Sequence, residues 1–213
     1  MSETKYLVDN WQGFIQQIVY YVSREYTEFC LVEYPMQKED KFEKIDEKLI
    51  QKYRANRTKD QLRYNKQKGN ANFKFLRYKN TAIIMKTKGK IEEKITCDDV
   101  FHSIEKKDIV IKVTNLTSFK IKKGGKDSIT VFMTEDFYKY TKAHCLNLLD
   151  TRMIKECVAE FNKLNGIPAW QGINEQRGTI KKSIINRAKK SKVKLDPAVL
   201  RIYTKRHPVK VFK

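Results

Sequence analysis

The sequence predicts an α+β fold: antiparallel β-hairpins packed by amphipathic helices, with a helical, basic C-terminal third. Three observations predict it. Apolar residues recur at three–four spacing in some segments and alternate in others. Turn signals at Lys79-Asn80 and Lys123-Gly124-Gly125-Lys126 join alternating segments in pairs. Finally, the excess positive charge lies in two stretches that carry apolar periodicities of their own.

Asp9-Asn10 reads as the N-cap of a first helix, with Trp11, Phe14, Ile15 and Ile18 on one face. Val19 to Val22 and Phe29 to Val32 are dense in aromatic and β-branched residues and read as strands, with Ser23-Arg24-Glu25 as the turn between them. After Pro35, residues Asp40 to Tyr53 place Phe42, Ile45, Leu49 and Tyr53 on one helical face. A short basic helix from Lys59 to Gln67 is broken by Gly69. Asn72 to Tyr78 and Thr81 to Thr87 read as the two strands of a hairpin. Ile109 to Val113 alternates, and Ser118 to Lys122 pairs with Ser128 to Met133 across a turn with a basic tip.

Thr134 is the expected N-cap of a helix from Glu135 to Leu149, and Thr151 opens another that ends near Asn165-Gly166. Gly172 to Lys192 reads as a long helix with Ile173, Ile180, Ile184 and Ala188 on its apolar face. Val199 to Thr204 and Val209 to Phe212 are expected as final strands. The weakest seam is Asn165 to Gln171. It suggests a main α+β domain over residues 1–165, holding a basic-aromatic region at 51–94, and a basic helical segment over 166–213 that is either a module or part of the same domain.

Lys and Arg outnumber Asp and Glu 14 to 3 between Gln51 and Lys94, and 14 to 2 between Phe161 and Lys213. The other 116 residues carry 17 against 20. The formal charge of +20 is thus two basic regions on a slightly acidic scaffold, an electrostatic footprint for a polyanion. Both regions hold aromatic or β-branched residues, which a disordered basic tail lacks.

Nucleic acid is therefore the expected partner, with structured RNA or single strands favoured over duplex DNA. In the first region the expected phosphate contacts are Arg54, Arg57, Arg63, Lys66, Lys68, Lys74, Arg77 and Lys79. Interleaved with them, Tyr64, Phe73, Phe75 and Tyr78 are the expected base-stacking residues. In the second region the expected contacts are Arg177, Lys181, Lys182, Arg187, Lys189, Lys190, Lys192, Lys194, Arg201, Lys205 and Arg206. The first region is expected to meet bases or loops and the second to hold the backbone. A ribonucleoprotein component, or an accessory of replication, recombination or transposition, fits this reading.

The alternative is a Mg²⁺-dependent nuclease, with Asp98, Asp99, Glu105 and Lys107 before the strand at Ile109 as its candidate catalytic residues. No other cofactor is expected. His102, His144 and His207 form no HxH or HExxH pattern, and Cys97 with His102, or His144 with Cys145, gives only half a zinc site. P-loop, dinucleotide-binding and kinase signatures do not occur. A third reading is an adaptor for acidic proteins or an anionic membrane, though the apolar face of the Gly172–Lys192 helix lacks Trp, Phe and Leu. The scattered Cys30, Cys97, Cys145 and Cys157 are expected to be free buried thiols in a reducing compartment. With a polar start and no apolar run near the ~18 residues of a span, the chain is expected in the cytoplasm, nucleoid or nucleus.

Overall fold

The computed structural model describes residues 6–124, 128–204, 209, 211 and 212. The fold is α+β, with six α-helices and two sheets among these residues. It divides into two compact units. The first holds the described residues up to Ile109 with Val209, Val211 and Phe212; the second runs from Val110 to Thr204. The expected seam at Asn165 to Gln171 lies inside the second unit.

In the first unit, the Asn10 side chain caps α1 (Trp11–Ser23) by accepting from the Gly13 N–H at 2.7 Å. This helix absorbs Val19 to Val22, correcting the expected strand. Ile18, Tyr21 and Val22 continue the buried face set by Phe14 and Ile15, so helical spacing outweighs the local β-propensity. A tight turn with Glu25 at φ 71° leads into β1 (Glu28–Glu33). A 3₁₀ turn over Met36–Lys41 then precedes α2 (Phe42–Tyr53), so the expected helix starts two residues later than its pattern suggests. α3 (Lys59–Gln67) is fixed by a capping box in which Thr58 and Gln61 exchange hydrogen bonds.

β2 (Phe73–Tyr78) and β3 (Thr81–Lys86) form the expected hairpin around Lys79-Asn80, with Lys79 in the left-handed region at φ 51°. With β4 (His102–Ser103) the sheet order is β2-β3-β1-β4. The register aligns Phe75 with Ile84 and Ile84 with Cys30, and Leu76 with Ile83 and Ile83 with Leu31. One face, with Phe73, Phe75, Ala82 and Ile84, packs with Phe42, Ile50 and Tyr53 of α2. On the other, Tyr78 meets Phe14 of α1 at 6.0 Å between ring centroids. The β2 edge is closed as well: the Val8 N–H donates to the Arg77 carbonyl and the Arg77 N–H to the Tyr6 carbonyl, each at 2.9 Å.

The second unit is built on β5 (Ile109–Lys112), β6 (Ser118–Lys123) and β7 (Ile129–Met133), in that order. The tip residues Gly125 and Lys126 lie outside the described residues. Ile111, Phe119, Ile121, Val131 and Met133 are buried on one side of the sheet. They share the core with α4 (Glu135–Asp150), α5 (Ile154–Lys163) and α6 (Gln171–Lys190). Gly172 lets α6 start against β7, because a Cβ there would lie 2.5 Å from the Phe132 ring and 2.6 Å from the Val131 carbonyl. Gln176 closes the β7 edge: its Oε1 accepts from the Met133 N–H at 2.8 Å and its Nε2 donates to the Met133 carbonyl at 3.1 Å.

The expected final strands are corrected. Pro197–Val199 is a 3₁₀ turn, and residues 200–204 belong to no sheet. Asn162 and Asn165 take the place of a partner strand: Asn162 accepts from the Arg201 N–H and Asn165 from the Tyr203 N–H, each at 3.0 Å, while both amides donate back to carbonyls of this segment. Gln16 does the same for Val209, with both bonds at 3.2 Å. The described residues of the expected Val209–Phe212 strand are likewise in no sheet.

Candidate nucleic-acid interface

The two basic regions fare differently once side chains are placed. In the first, several expected contacts are engaged internally. The Arg57 side chain, 7 % exposed, pairs with Glu92 at 2.6 Å, and Arg54 joins the same carboxylate at 3.3 Å. Asn65 of α3 donates to Glu92 as well, at 2.8 Å. Glu92 thus ties α3 and the end of α2 together.

Arg77 lies in the core. Its Nε donates to both oxygens of Asp46, at 2.9 and 2.7 Å, and Asp46 is fully buried. Lys66 pairs with Glu25 at the surface, at 2.7 Å. Lys74 is half-buried, and burial lowers its pKa. These placements correct the expectation that Arg57 and Arg77 reach phosphates. Lys59, Arg63, Lys68 and Lys79 remain exposed, and Arg54 is exposed beside its carboxylate.

The stacking set is corrected too. Phe73, Phe75 and Tyr78 are 1, 4 and 9 % exposed, because β2 is covered on both faces. Tyr64 is 56 % exposed, with the Lys68 ammonium 4.5 Å from its ring centroid.

In the second region Arg177 is interior. It is 1 % exposed and donates to the Leu164 and Ile167 carbonyls and to Asn174, capping the turn that follows α5. Lys181 donates to the Leu200 carbonyl at 2.7 Å, and Arg187 lies 3.5 Å from Asp150. Lys182, Lys189, Lys190, Lys192, Lys194 and Arg201 are exposed. Among the described residues none of these six pairs with a carboxylate. Lys205 and Arg206 lie outside the described residues, as does His207.

One basic surface escaped the charge count. The strand pairing sets Lys120 opposite Phe132 and Lys122 opposite Thr130, on the face opposite Phe119 and Ile121. Lys112 and Lys122 are exposed there, Val110 is 41 % exposed, and the Lys120 ammonium is 5.9 Å from the Phe132 ring centroid. The signal was present in the alternation of both strands, but the local charge balance hid it.

The four nuclease candidates are not gathered into one site. Lys52 pairs with Asp98 and, at 2.8 Å, with Asp99, and Tyr53 donates its hydroxyl to Asp99. The Lys52 ammonium thus bridges this carboxylate pair. Glu105 is 3.7 Å from Lys88, and Lys107 is exposed. Among the described residues no three His, Cys, Asp or Glu side chains gather as cation ligands. The four cysteines are free, and burial raises every thiol, Cys145 to about 12, so none is activated as a nucleophile.

Lys52, and after it Tyr53, hold the Asp99 carboxyl below its ordinary value. A lowered folded value means that this group's stabilisation is present above the unfolded Asp value of about 3.9. It is lost as pH falls through the lowered folded value. Asp99→Asn is expected to flatten that part of the acid decline in a urea-unfolding series. Identical pH profiles for the two proteins would contradict the role of this pair.

No helix among the described residues is long and apolar enough to cross a membrane. No protein-family model, curated protein or solved structure matches the chain.

Proposed function

We propose that this chain binds nucleic acid through phosphate contacts. The observation that carries the reading is α6 with the segment that follows it. Ile173, Ile180, Ile184 and Ala188 anchor the helix in the core of the second unit. On its other side stand Lys182, Lys189 and Lys190, continued by Lys192 and Lys194, all exposed and without carboxylate partners among the described residues. Cations near a helix C-terminus also complement the helix dipole, for about 0.3–1 kcal/mol each. That accounts for Lys189 and Lys190 but not for Lys182 in mid-helix or for Lys192 and Lys194 beyond its end. A surface selected for solubility alone intersperses both signs.

The lysine-bearing face of the β5-β6-β7 sheet supports single strands or structured RNA over plain duplex DNA, because Val110 is exposed alongside Lys112 and Lys122, and apolar surface among cations suits unpaired bases. A ribonucleoprotein component, or an accessory of replication, recombination or transposition, would need this kind of grip. Fluorescence anisotropy at low salt against duplex DNA, single-stranded DNA and a folded RNA tests the reading. Binding is expected to all three, tightest to single strands or RNA; binding to none would contradict it.

A further inference from the structure

We infer that a small cavity in the first unit, lined by Met36, Glu39, Phe42, Arg77, Lys79 and Asn80, receives one unpaired guanine base. This rests on the nucleic-acid reading above and adds a base preference to it. The cavity holds about 230 Å³, below the roughly 300–1,000 Å³ of pockets that take drug-sized ligands. It suits one planar base better than a whole nucleotide.

Its frame is fixed on two sides. The β2–β3 turn is tied to Tyr34 by the Tyr34 N–H, which donates to the Asn80 carbonyl at 2.7 Å. Arg77 is held by Asp46 and by the Lys79 carbonyl, to which its Nη1 donates at 2.8 Å. Arg77 Nη2 has no hydrogen-bond partner among the described residues, and it is not among the unpartnered polar atoms sealed from solvent. Its N–H groups are therefore available to a guest in the cavity that Arg77 lines.

The charges select the guest. Counting Asp46, which pairs with Arg77 from behind the lining, the charges of Glu39, Arg77 and Lys79 cancel, so the cavity is a poor match for a phosphate. It offers cationic donors from Arg77 and Lys79 and a carboxylate acceptor from Glu39. Guanine fits that complement best, because O6 and N7 together accept from Arg or Lys and the adjacent N1–H and N2 amino group donate side by side to one carboxylate. Adenine and cytosine each offer a carboxylate a single amino group with no adjacent ring N–H, and uracil a single ring N–H, so each makes one bond to Glu39 where guanine makes two. Phe42, beneath the Arg77 guanidinium at 5.4 Å, and Met36, 56 % exposed, supply apolar contact. Lys38 and Lys41 are exposed on the same 3₁₀ turn as Glu39, where flanking phosphates would run.

The test is fluorescence anisotropy of the full chain against a single-stranded oligouridine tract and the same tract carrying one guanosine, adenosine, inosine or 7-deazaguanosine. Guanosine is expected to tighten binding about tenfold over uridine and adenosine. Inosine, lacking the N2 amino group, and 7-deazaguanosine, lacking N7, should each lose part of that gain. Glu39→Ala, at an exposed position, should abolish the preference while the plain tract still binds. Equal affinity for all tracts, or a preference untouched by Glu39→Ala, overturns the pocket alone. If no tract binds at low salt, the nucleic-acid reading falls and the pocket with it.

Discussion

Reversing Lys182, Lys189 and Lys190 to Glu is expected to reduce affinity for nucleic acid by at least two orders of magnitude without unfolding the chain. Each neutralised phosphate contributes about −0.7 to the log–log salt slope on single strands and about −0.9 on B-DNA. Losing three contacts should therefore shallow the slope by about two to three. The three side chains are exposed and engage no carboxylate among the described residues, so their replacement leaves the α6 core contacts intact. Glu near a helix C-terminus costs about 0.3–1 kcal/mol per residue through the dipole. The corresponding Gln variant separates that effect from lost binding. It should keep the melting temperature and still bind more weakly than the parent. Full affinity in the Glu variant would place the footprint elsewhere.

The largest expected effect on stability lies at Asp46 and Arg77. Asp46 is fully buried, accepts from Arg77 and takes the Tyr34 hydroxyl at 2.9 Å. Arg77→Met leaves that carboxylate buried and unpaired, at a cost of about 3–5 kcal/mol. Replacing both partners, as Asp46→Leu with Arg77→Met, should cost far less than either change alone, because the desolvation penalty disappears with the pair. Burial raises the Asp46 carboxyl even against the opposing pull of Arg77 and Tyr34. A raised folded value means that the group's contribution is fully present below the unfolded value of about 3.9 and is lost as pH rises through the folded value. Asp46→Asn should remove that loss from the stability profile. Urea unfolding of the single and double variants across this pH range decides the matter; additive single costs would contradict the coupling.

How much of this was legible depended on whether the deciding partner was local. The start of α3 is legible because Thr58 and Gln61 form their capping box within four residues, and its end because Gly69, at φ 72°, breaks it. The β2–β3 hairpin was legible for a similar reason: a two-residue turn fixes its register. Val19 to Val22 has the aromatic and β-branched density of a strand, but the three–four spacing that runs on from Phe14 decides its structure. The last segment misled because Asn162 and Asn165, some 36–39 residues away in sequence, supply the bonds a strand partner would have made.

The stacking residues failed on depth. Alternation in β2 announces one covered face, and nothing within Phe73 to Tyr78 announces that α1 covers the other. Charge counting had the same blind spot, since it cannot separate an engaged cation from a free one. One chemical signal was nevertheless available. Arg57, Arg77 and Arg177, the interior cations of the two regions, are all arginines, whose planar fork suits several fixed acceptors at once. The exposed cations of α6 and its continuation that engage no carboxylate among the described residues are mostly lysines, Lys182, Lys189, Lys190, Lys192 and Lys194, with Arg201 beyond them.

The most direct measurement of the central claim is the salt dependence of binding to a single-stranded oligonucleotide. If Lys182, Lys189, Lys190, Lys192 and Lys194 each neutralise a phosphate, log K against log salt should fall with a slope of about −3.5, or about −4.5 on duplex DNA. Contacts from the β5-β6-β7 face would steepen it further. A slope near zero would contradict the account, because the exposed lysines would then be only a solvated surface.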